Sequence, residues 1–287
     1  MRIEHIREVL GTPYYEADGC ALYNMDCLTA MRDLPVEVVD LTVTSPPYNI
    51  GKEYDKDWPL PDYLDWCIQW IRELYRITRS EGAFWLNLGY LSMPGRAKAI
   101  PIPYLLWNRI PFFLIQEIVW HYGAGVAGRK FFSPRNEKFL WYVKDQDSYT
   151  FNLDDVRDPN VKYPNQKKNG KIKVNRIGKN PADVWQFPKV TSGTKRAAKE
   201  RTPHPAQFPI SVIERIVKSS SHPGDVVLDP FMGSGTTAVV ALSLGRQVVG
   251  FEIRRDYCEL AAQRLSDYLT IRKEREAQAQ LFPNMNT

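Results

Sequence analysis

Long apolar runs are missing from this chain of 287 residues. Apolar stretches such as Ile110 to Ile115 and Val226 to Leu228 fall far short of the roughly 20 residues that a membrane-spanning helix needs, so no transmembrane helix is expected. The N-terminus, Met1-Arg2-Ile3-Glu4-His5-Ile6-Arg7-Glu8, lacks the apolar stretch and small-residue cleavage site of a secretory signal, which predicts a cytoplasmic protein. Cysteine is scarce: Cys20, Cys27, Cys67 and Cys258 form no C-x-x-C pair. That spacing argues against a zinc knuckle or a disulfide framework and for four buried thiols, with no metal site. Proline and glycine, at 21 and 17, stay near average usage and exclude collagen-like and low-complexity chains. What is abundant is core material, 44% hydrophobic residues with 8 Trp, over a length that suits one large core or a core with a small lobe.

Charge is unevenly placed. The net charge is only +5, yet residues 126–203 carry 18 Lys and Arg against 8 Asp and Glu, so the remainder is net acidic. The block runs from Arg129-Lys130 through Lys167-Lys168-Asn169-Gly170-Lys171 to Lys195-Arg196. It reads either as a phosphate-binding surface or as solvated loops. Interspersed aromatics, among them Phe131, Phe132, Tyr163 and Trp185, favour a folded lobe over a disordered tail.

Short segments rich in branched and aromatic residues predict strands at Ala21–Asn24, Asp40–Thr44, Ala83–Leu88, Leu114–Trp120 and Phe139–Val143. After Pro61-Asp62, the residues Leu64, Cys67, Ile68, Ile71, Leu74 and Tyr75 recur at helical spacing. Beyond the basic block, Pro209–Lys218 reads as a helix, Asp225–Asp229 as a strand, Thr236–Leu244 as a helix, Gln247–Glu252 as a strand and Asp256–Leu269 as a helix. This alternation predicts an α/β fold, a Rossmann-like, mainly parallel sheet with helices on both faces plus a small basic region. The last dozen residues read as a frayed tail.

Two strand ends carry the chemistry. In Asp225-Val226-Val227-Leu228-Asp229-Pro230-Phe231-Met232-Gly233-Ser234-Gly235-Thr236-Thr237, a buried strand turns into a helix through two glycines. The glycines let backbone approach a ligand, and the helix start leaves free N–H groups at Thr236 and Thr237. The Gly-Lys-Ser/Thr ending of a phosphate loop is absent, as is the third glycine of the dinucleotide fingerprint. Glu252 ends the next strand 23 residues after Asp229, where an acid accepts hydrogen bonds from ribose hydroxyls, and this spacing points to a nucleoside cofactor.

The second strand end runs Asp40-Leu41-Thr42-Val43-Thr44-Ser45-Pro46-Pro47-Tyr48-Asn49. Two prolines stiffen the turn and present carbonyl acceptors without adjacent N–H groups. Ser45 adds a hydroxyl and Tyr48 a flat face, so the turn is either a rigid surface corner or a grip for an exocyclic aromatic amine. An amine whose hydrogens are held by Ser45 and the Pro46 carbonyl becomes tetrahedral and aims its lone pair at an electrophile, while Tyr48 stacks on the ring. The stacking is worth about 1–3 kcal/mol per base.

Together, Thr44-Ser45-Pro46-Pro47-Tyr48 and Asp229-Pro230-Phe231-Met232-Gly233-Ser234-Gly235-Thr236-Thr237 resemble the catalytic and cofactor signatures of S-adenosylmethionine-dependent amino DNA methyltransferases. The catalytic segment comes first and the basic block lies between, as in the circularly permuted beta group of that family. The resemblance extends over most of residues 20 to 270. It implies catalytic roles for Ser45, Pro46, Pro47 and Tyr48, and cofactor contacts from Asp229, Phe231, Gly233, Ser234, Gly235, Thr236, Thr237 and Glu252. Asn24-Met25-Asp26-Cys27-Leu28 resembles the segment whose acid meets the cofactor's adenine, which implies that role for Asp26. Thr202-Pro203-His204-Pro205 resembles the segment near the methionine part of the cofactor, implying His204 or Pro205, with a proline-rich linker as an equal reading. Gly82-Ala83-Phe84-Trp85-Leu86-Asn87 and Ile118-Val119-Trp120 resemble further strands of the family, with structural residues.

The resemblance implies a bacterial restriction-modification enzyme that transfers methyl in line to a base flipped out of double-stranded DNA, without a covalent enzyme intermediate. A homodimer and a companion restriction endonuclease are implied partners. It divides the chain into a catalytic half at 1–144, a target-recognition region at 145–200, a cofactor half at 201–270 and a tail at 271–287. Ser-Pro-Pro-Tyr is more typical of cytosine N4 and Asp-Pro-Pro-Tyr of adenine N6, so Ser45 favours cytosine. Adenine N6 remains an alternative, as do an RNA or protein amino-methyltransferase and a non-catalytic nucleic-acid-binding module.

Overall fold

A computed structural model describes residues 2–51, 58–123, 125, 127–191 and 197–281. The strands in chain order are β1 (Tyr15–Ala17), β2 (Cys20–Tyr23), β3 (Val39–Thr44), β4 (Thr78–Asn87), β5 (Tyr90–Met93), β6 (Ala97–Pro101), β7 (Phe113–His121), β8 (Asn136–Val143), β9 (Lys167–Lys168), β10 (Lys171–Ile172), β11 (Val184–Gln186), β12 (Val226–Asp229) and β13 (Gln247–Phe251). The helices are α1 (Arg2–Leu10), α2 (Cys27–Asp33), α3 (Leu60–Ile77), α4 (Ile102–Leu106), α5 (Ile210–Ser220), α6 (Thr236–Ser243) and α7 (Arg255–Leu281).

Nine strands form one sheet in the order β1-β2-β13-β12-β3-β4-β8-β7-β11. From β2 to β4 every pairing is parallel, which places the carboxyl ends of β13, β12, β3 and β4 along one edge. These central strands are buried along nearly their whole length, as expected where helices cover both faces. One face packs on α1, α2, α3 and α4 through residues such as Ile6, Met31, Trp70 and Leu106. The other packs on α5, α6 and α7 through Ile213, Val240 and Leu265. β12 continues through α6 to β13 on one side, and β3 continues through α3 to β4 on the other. The β12/β3 boundary is therefore the switch point where open α/β sheets form a ligand crevice.

The predicted parallel sheet with helices on both faces is thus what the chain builds. Three helices, α1, α2 and the short α4, were not expected from the sequence. α1 buries Ile3 and Ile6, and α2 buries Cys27, Ala30 and Met31 behind an N-cap in which Asp26 accepts from the Thr29 amide at 2.9 Å. The predicted frayed tail is also corrected: α7 continues to Leu281, favoured by an Ala/Glu/Gln/Arg-rich sequence and an Arg272–Glu276 pair one turn apart. Residues 282–287 and the basic pair Lys195-Arg196 lie outside the described residues.

Residues 145–200 are not all peripheral. β11 adds a parallel edge strand to β7, and its Trp185 is buried against Trp85 at 5.7 Å. The lysines Lys167, Lys168 and Lys171 stand exposed on the β9–β10 hairpin, which turns at Asn169 and Gly170, both at positive φ. All four cysteines are buried and free, as the sequence predicts. Among the described residues no helix is long and apolar enough to cross a membrane.

Candidate active site

The two predicted segments meet at the carboxyl edge of adjacent strands. β3 ends in Thr44 and β12 ends in Asp229, and Thr44 Oγ1 donates a 2.7 Å hydrogen bond to Asp229 Oδ1 across 185 positions of sequence. Asp229 Oδ2 accepts from Thr237 Oγ1 at 2.7 Å, and Oδ1 also accepts from the Phe231 amide at 3.1 Å. The carboxyl therefore clasps the start of the Ser45–Tyr48 corner, the glycine turn and the first turn of α6 together. Burial pushes it up to about 7, against the pull of its three donors.

An open cleft spans both segments. Ser45, Pro46, Pro47 and Tyr48 line it on one side. On the other stand Asp229, Phe231, Gly233, Ser234, Thr236 and Thr237, with Glu252, Asp26 and His204 around the rim. Gly235 is the one predicted site residue that does not line the cleft. At φ 74° it caps α6, and a Cβ there would lie 3.1 Å from that of Ala261, so the glycine serves the turn and its packing on α7. Pro205, the alternative to His204, is exposed and outside the lining.

The Ser45–Tyr48 corner is held by residues whose part the sequence does not show. Asn87, at the end of β4, is fully buried. Its Nδ2 donates to the Lys138 carbonyl at 2.9 Å, which turns Oδ1 toward the corner. There Oδ1 accepts from the Tyr48 hydroxyl, and Ser45 Oγ lies 2.9 Å from the Tyr48 oxygen and 3.3 Å from Oδ1. Oδ1 only accepts, so both hydroxyls can donate inside this triangle. Lone pairs on Ser45 and the Pro46 carbonyl are left as acceptors, while the Pro47 carbonyl accepts from Tyr63 at 2.7 Å. An acceptor-lined corner suits an amine and repels a carbonyl. Gly89 completes the support, because the Tyr48 ring lies against its backbone so closely that a Cβ would come within 2.4 Å of the ring.

The cofactor side is similarly braced. Gly233, at φ 51°, passes so near His204 that a Cβ would sit 2.9 Å from Nε2, and the His204 ring packs edge-on against Tyr257 with centroids 4.4 Å apart. Glu252 Oε2 accepts from the Gly233 amide and Oε1 from the Arg254 amide, both at 2.9 Å. Burial raises this carboxyl above the usual range, and the two amides counter the shift. Arg264 from α7 donates to the Ser234 carbonyl at 3.0 Å and to Thr236 Oγ1 at 2.8 Å, fixing the turn from behind. Phe231 sits edge-on to Trp66 and Trp70 of α3, at 5.7 and 5.3 Å, and Trp58, Tyr63 and Trp66 give the cleft an aromatic wall. Acid, aromatic wall and glycine turn form a donor and acceptor set that fits a nucleoside carrying an amino-acid tail.

A sequence model of the N6/N4 DNA methylase family matches residues 39–263. The type II methyltransferase M.ScaI of Streptomyces caespitosus is 60% identical over 264 residues, spanning 92% of this chain and 87% of that protein. The DNA adenine methyltransferase YhdJ of Escherichia coli K12 is 35% identical over 260 residues, spanning 84% of this chain and 80% of its own length. Among solved structures, the PvuII DNA methyltransferase (cytosine-N4-specific) superposes with a TM-score of 0.69 at 19% identity, over 90% of this chain and 93% of that one, a likeness in fold. The chain belongs to the N6/N4 DNA methylase family, the S-adenosylmethionine-dependent enzymes that methylate amino groups of DNA bases.

Proposed function

We propose that the chain methylates the N4 amine of cytosine in double-stranded DNA, as a beta-group enzyme of a type II restriction-modification system that works beside a companion endonuclease. The observation that carries this reading is the Ser45–Tyr48–Asn87 triangle opening into the same cleft as the glycine turn. When bound, S-adenosylmethionine supplies an electrophilic methyl group on its sulfonium. Glu252 and Asp26 would hold the nucleoside end, Phe231 would offer its ring to the adenine, and the first turn of α6 would offer amide donors to the carboxylate tail. Ser45 Oγ and the Pro46 carbonyl accept the two amine hydrogens, turning the nitrogen tetrahedral with its lone pair toward the methyl group. Positioning of this kind accounts for up to about 7–11 kcal/mol in the best intramolecular cases. Tyr48 stacks on the base.

The base must leave the duplex to reach this corner, at a cost of a few kcal/mol. Lys and Arg contacts to phosphate, from the exposed β9–β10 lysines among others, offset part of it. A neutral hydroxyl at Ser45, where adenine-directed relatives more typically carry an acid, supports cytosine. Catalytic residues preceding the glycine turn in sequence support the permuted group. Sequencing and nucleoside mass analysis of DNA methylated by the chain test the reading and map its site. N4-methylcytosine is expected, and N6-methyladenine as sole product would overturn it.

A further inference from the structure

β7 runs parallel to β4, and β8 runs antiparallel to both, so the connection from β7 to β8 leaves the sheet at the same edge as Ser45 and Gly233. Its last residue, Arg135, lies three positions before Lys138, whose carbonyl holds Asn87, a separation of about 10 Å of strand. At the tip, residues 128–133 form a built turn. Gly128 approaches the Phe131 carbonyl so closely that a Cβ would lie 2.3 Å from it, and the Gly128 amide donates to Ser133 Oγ at 2.9 Å. Lys98, from β6, sits over the Phe131 ring at 4.2 Å. Phe131 is thereby anchored, and its neighbour Phe132 is 100% exposed, the most exposed large apolar side chain among the described residues.

An apolar ring held in water on a connection that leaves the sheet at the edge carrying the cleft asks for an occupant, and the charge around it names one. Residues 88–135 contain six Lys and Arg and a single acid, Glu117, which is paired with Lys138. Arg129 and Lys130 stand exposed immediately before the two phenylalanines. This surface complements a polyanion that also offers flat apolar faces, which is duplex DNA. We infer that Phe132 is the wedge of this enzyme: it enters the base stack at the target step, with Arg129 and Lys130 on the flanking phosphates, and fills the space that the extruded base leaves. Apolar side chains inserted between base steps unstack them in this way.

The inference rests on the duplex-methylating, base-flipping reading above, and its test separates the two. Single-turnover methylation is measured on a duplex carrying the mapped site and on the same duplex with an abasic residue opposite the target, where extrusion costs less. Phe132→Ala is expected to be at least about tenfold slower than wild type on the paired duplex and within about twofold of it on the abasic one. Phe132→Trp should restore most of the rate, and S-adenosylmethionine affinity without DNA should be unchanged in both variants. Wild-type speed for Phe132→Ala on the paired duplex, or an equal loss on both duplexes, would overturn the wedge. A wild-type chain that methylates neither duplex would overturn the reading beneath it.

Discussion

Gly89→Ala is expected to separate methyl transfer from cofactor binding by the addition of one methyl group. A Cβ at Gly89 would stand 2.4 Å from Tyr48 Cδ2 and 2.7 Å from Cε2, whereas carbon atoms rest about 3.5–4.0 Å apart, so the deficit is about 1 Å. Retreat is blocked on both sides. The Gly89 carbonyl accepts from the Ile102 amide at 3.1 Å, and the Tyr48 hydroxyl is tied to Asn87. The ring must shift by about that deficit, and a 1 Å misplacement of a positioning group can cost on the order of 100-fold in rate. Overpacking of this kind destabilises by about 1–3 kcal/mol, well short of unfolding a domain of this size. Single-turnover transfer of a labelled methyl group should therefore fall about 10- to 100-fold, while calorimetric binding of S-adenosylmethionine without DNA stays within about twofold. Adding Tyr48→Ala should relieve the clash and return the lost stability without returning the rate, a coupling that a double-mutant cycle reads directly. A Gly89→Ala enzyme that transfers methyl at the wild-type rate would refute the claim that Tyr48 is held in a catalytic position.

Asn87→Leu removes the acceptor shared by Ser45 and Tyr48, so methyl transfer should fall at least about tenfold with cofactor affinity unchanged; loss of cofactor binding instead would count against the assignment. Glu252→Ala should do the reverse, weakening S-adenosylmethionine binding about 10- to 100-fold in titrations while saturating cofactor restores most of the rate. Asp229 has a pH signature. Raised from 3.8 to about 7, its carboxyl keeps a proton in the folded chain that the unfolded chain has already lost, so its contribution to stability declines as pH rises between those values and is constant above them. In urea unfolding the neutral Asp229→Asn variant should lack that decline, and parallel stability curves for the two proteins across this window would refute it. DNA affinity should fall linearly with the logarithm of salt concentration, with a slope steeper than about −3, and a salt-independent affinity would remove the basic surface from the account.

The two motifs and the central sheet were readable because both follow from short-range rules. Apolar runs ending in glycine, proline and acid mark strand ends, and strand ends in a parallel sheet share an edge. What the sequence concealed was support at a distance. Asn87 looks like the polar end of an apolar strand, and only the pairing of β4 with β3 and β8 brings it to Ser45, Tyr48 and the Lys138 carbonyl. The aromatic wall of α3 was hidden by its own periodicity, since counting the aliphatic face around Cys67 and Ile71 leaves Tyr63 and Trp66 looking incidental. Cys27, Ala30, Met31 and Leu34 repeat at helical spacing, but α2 has only seven residues, and Asp26 ahead of it suits a ligand contact as well as the N-cap it forms. The Asn169-Gly170 dipeptide, a hairpin signal, is masked by the lysines on both sides of it.

The strand order carries a consequence for how the protein is made. β2 and β3 belong to the first fifty residues, yet two strands that are synthesised last, β12 and β13, lie between them. A nascent chain on the ribosome therefore holds the flanks of its sheet without the middle, and the long-range pairing that closes it is slow by its topology. A chain that stops before Val226 holds β1–β2 on one side and β3, β4, β8, β7 and β11 on the other, with no strand to join them.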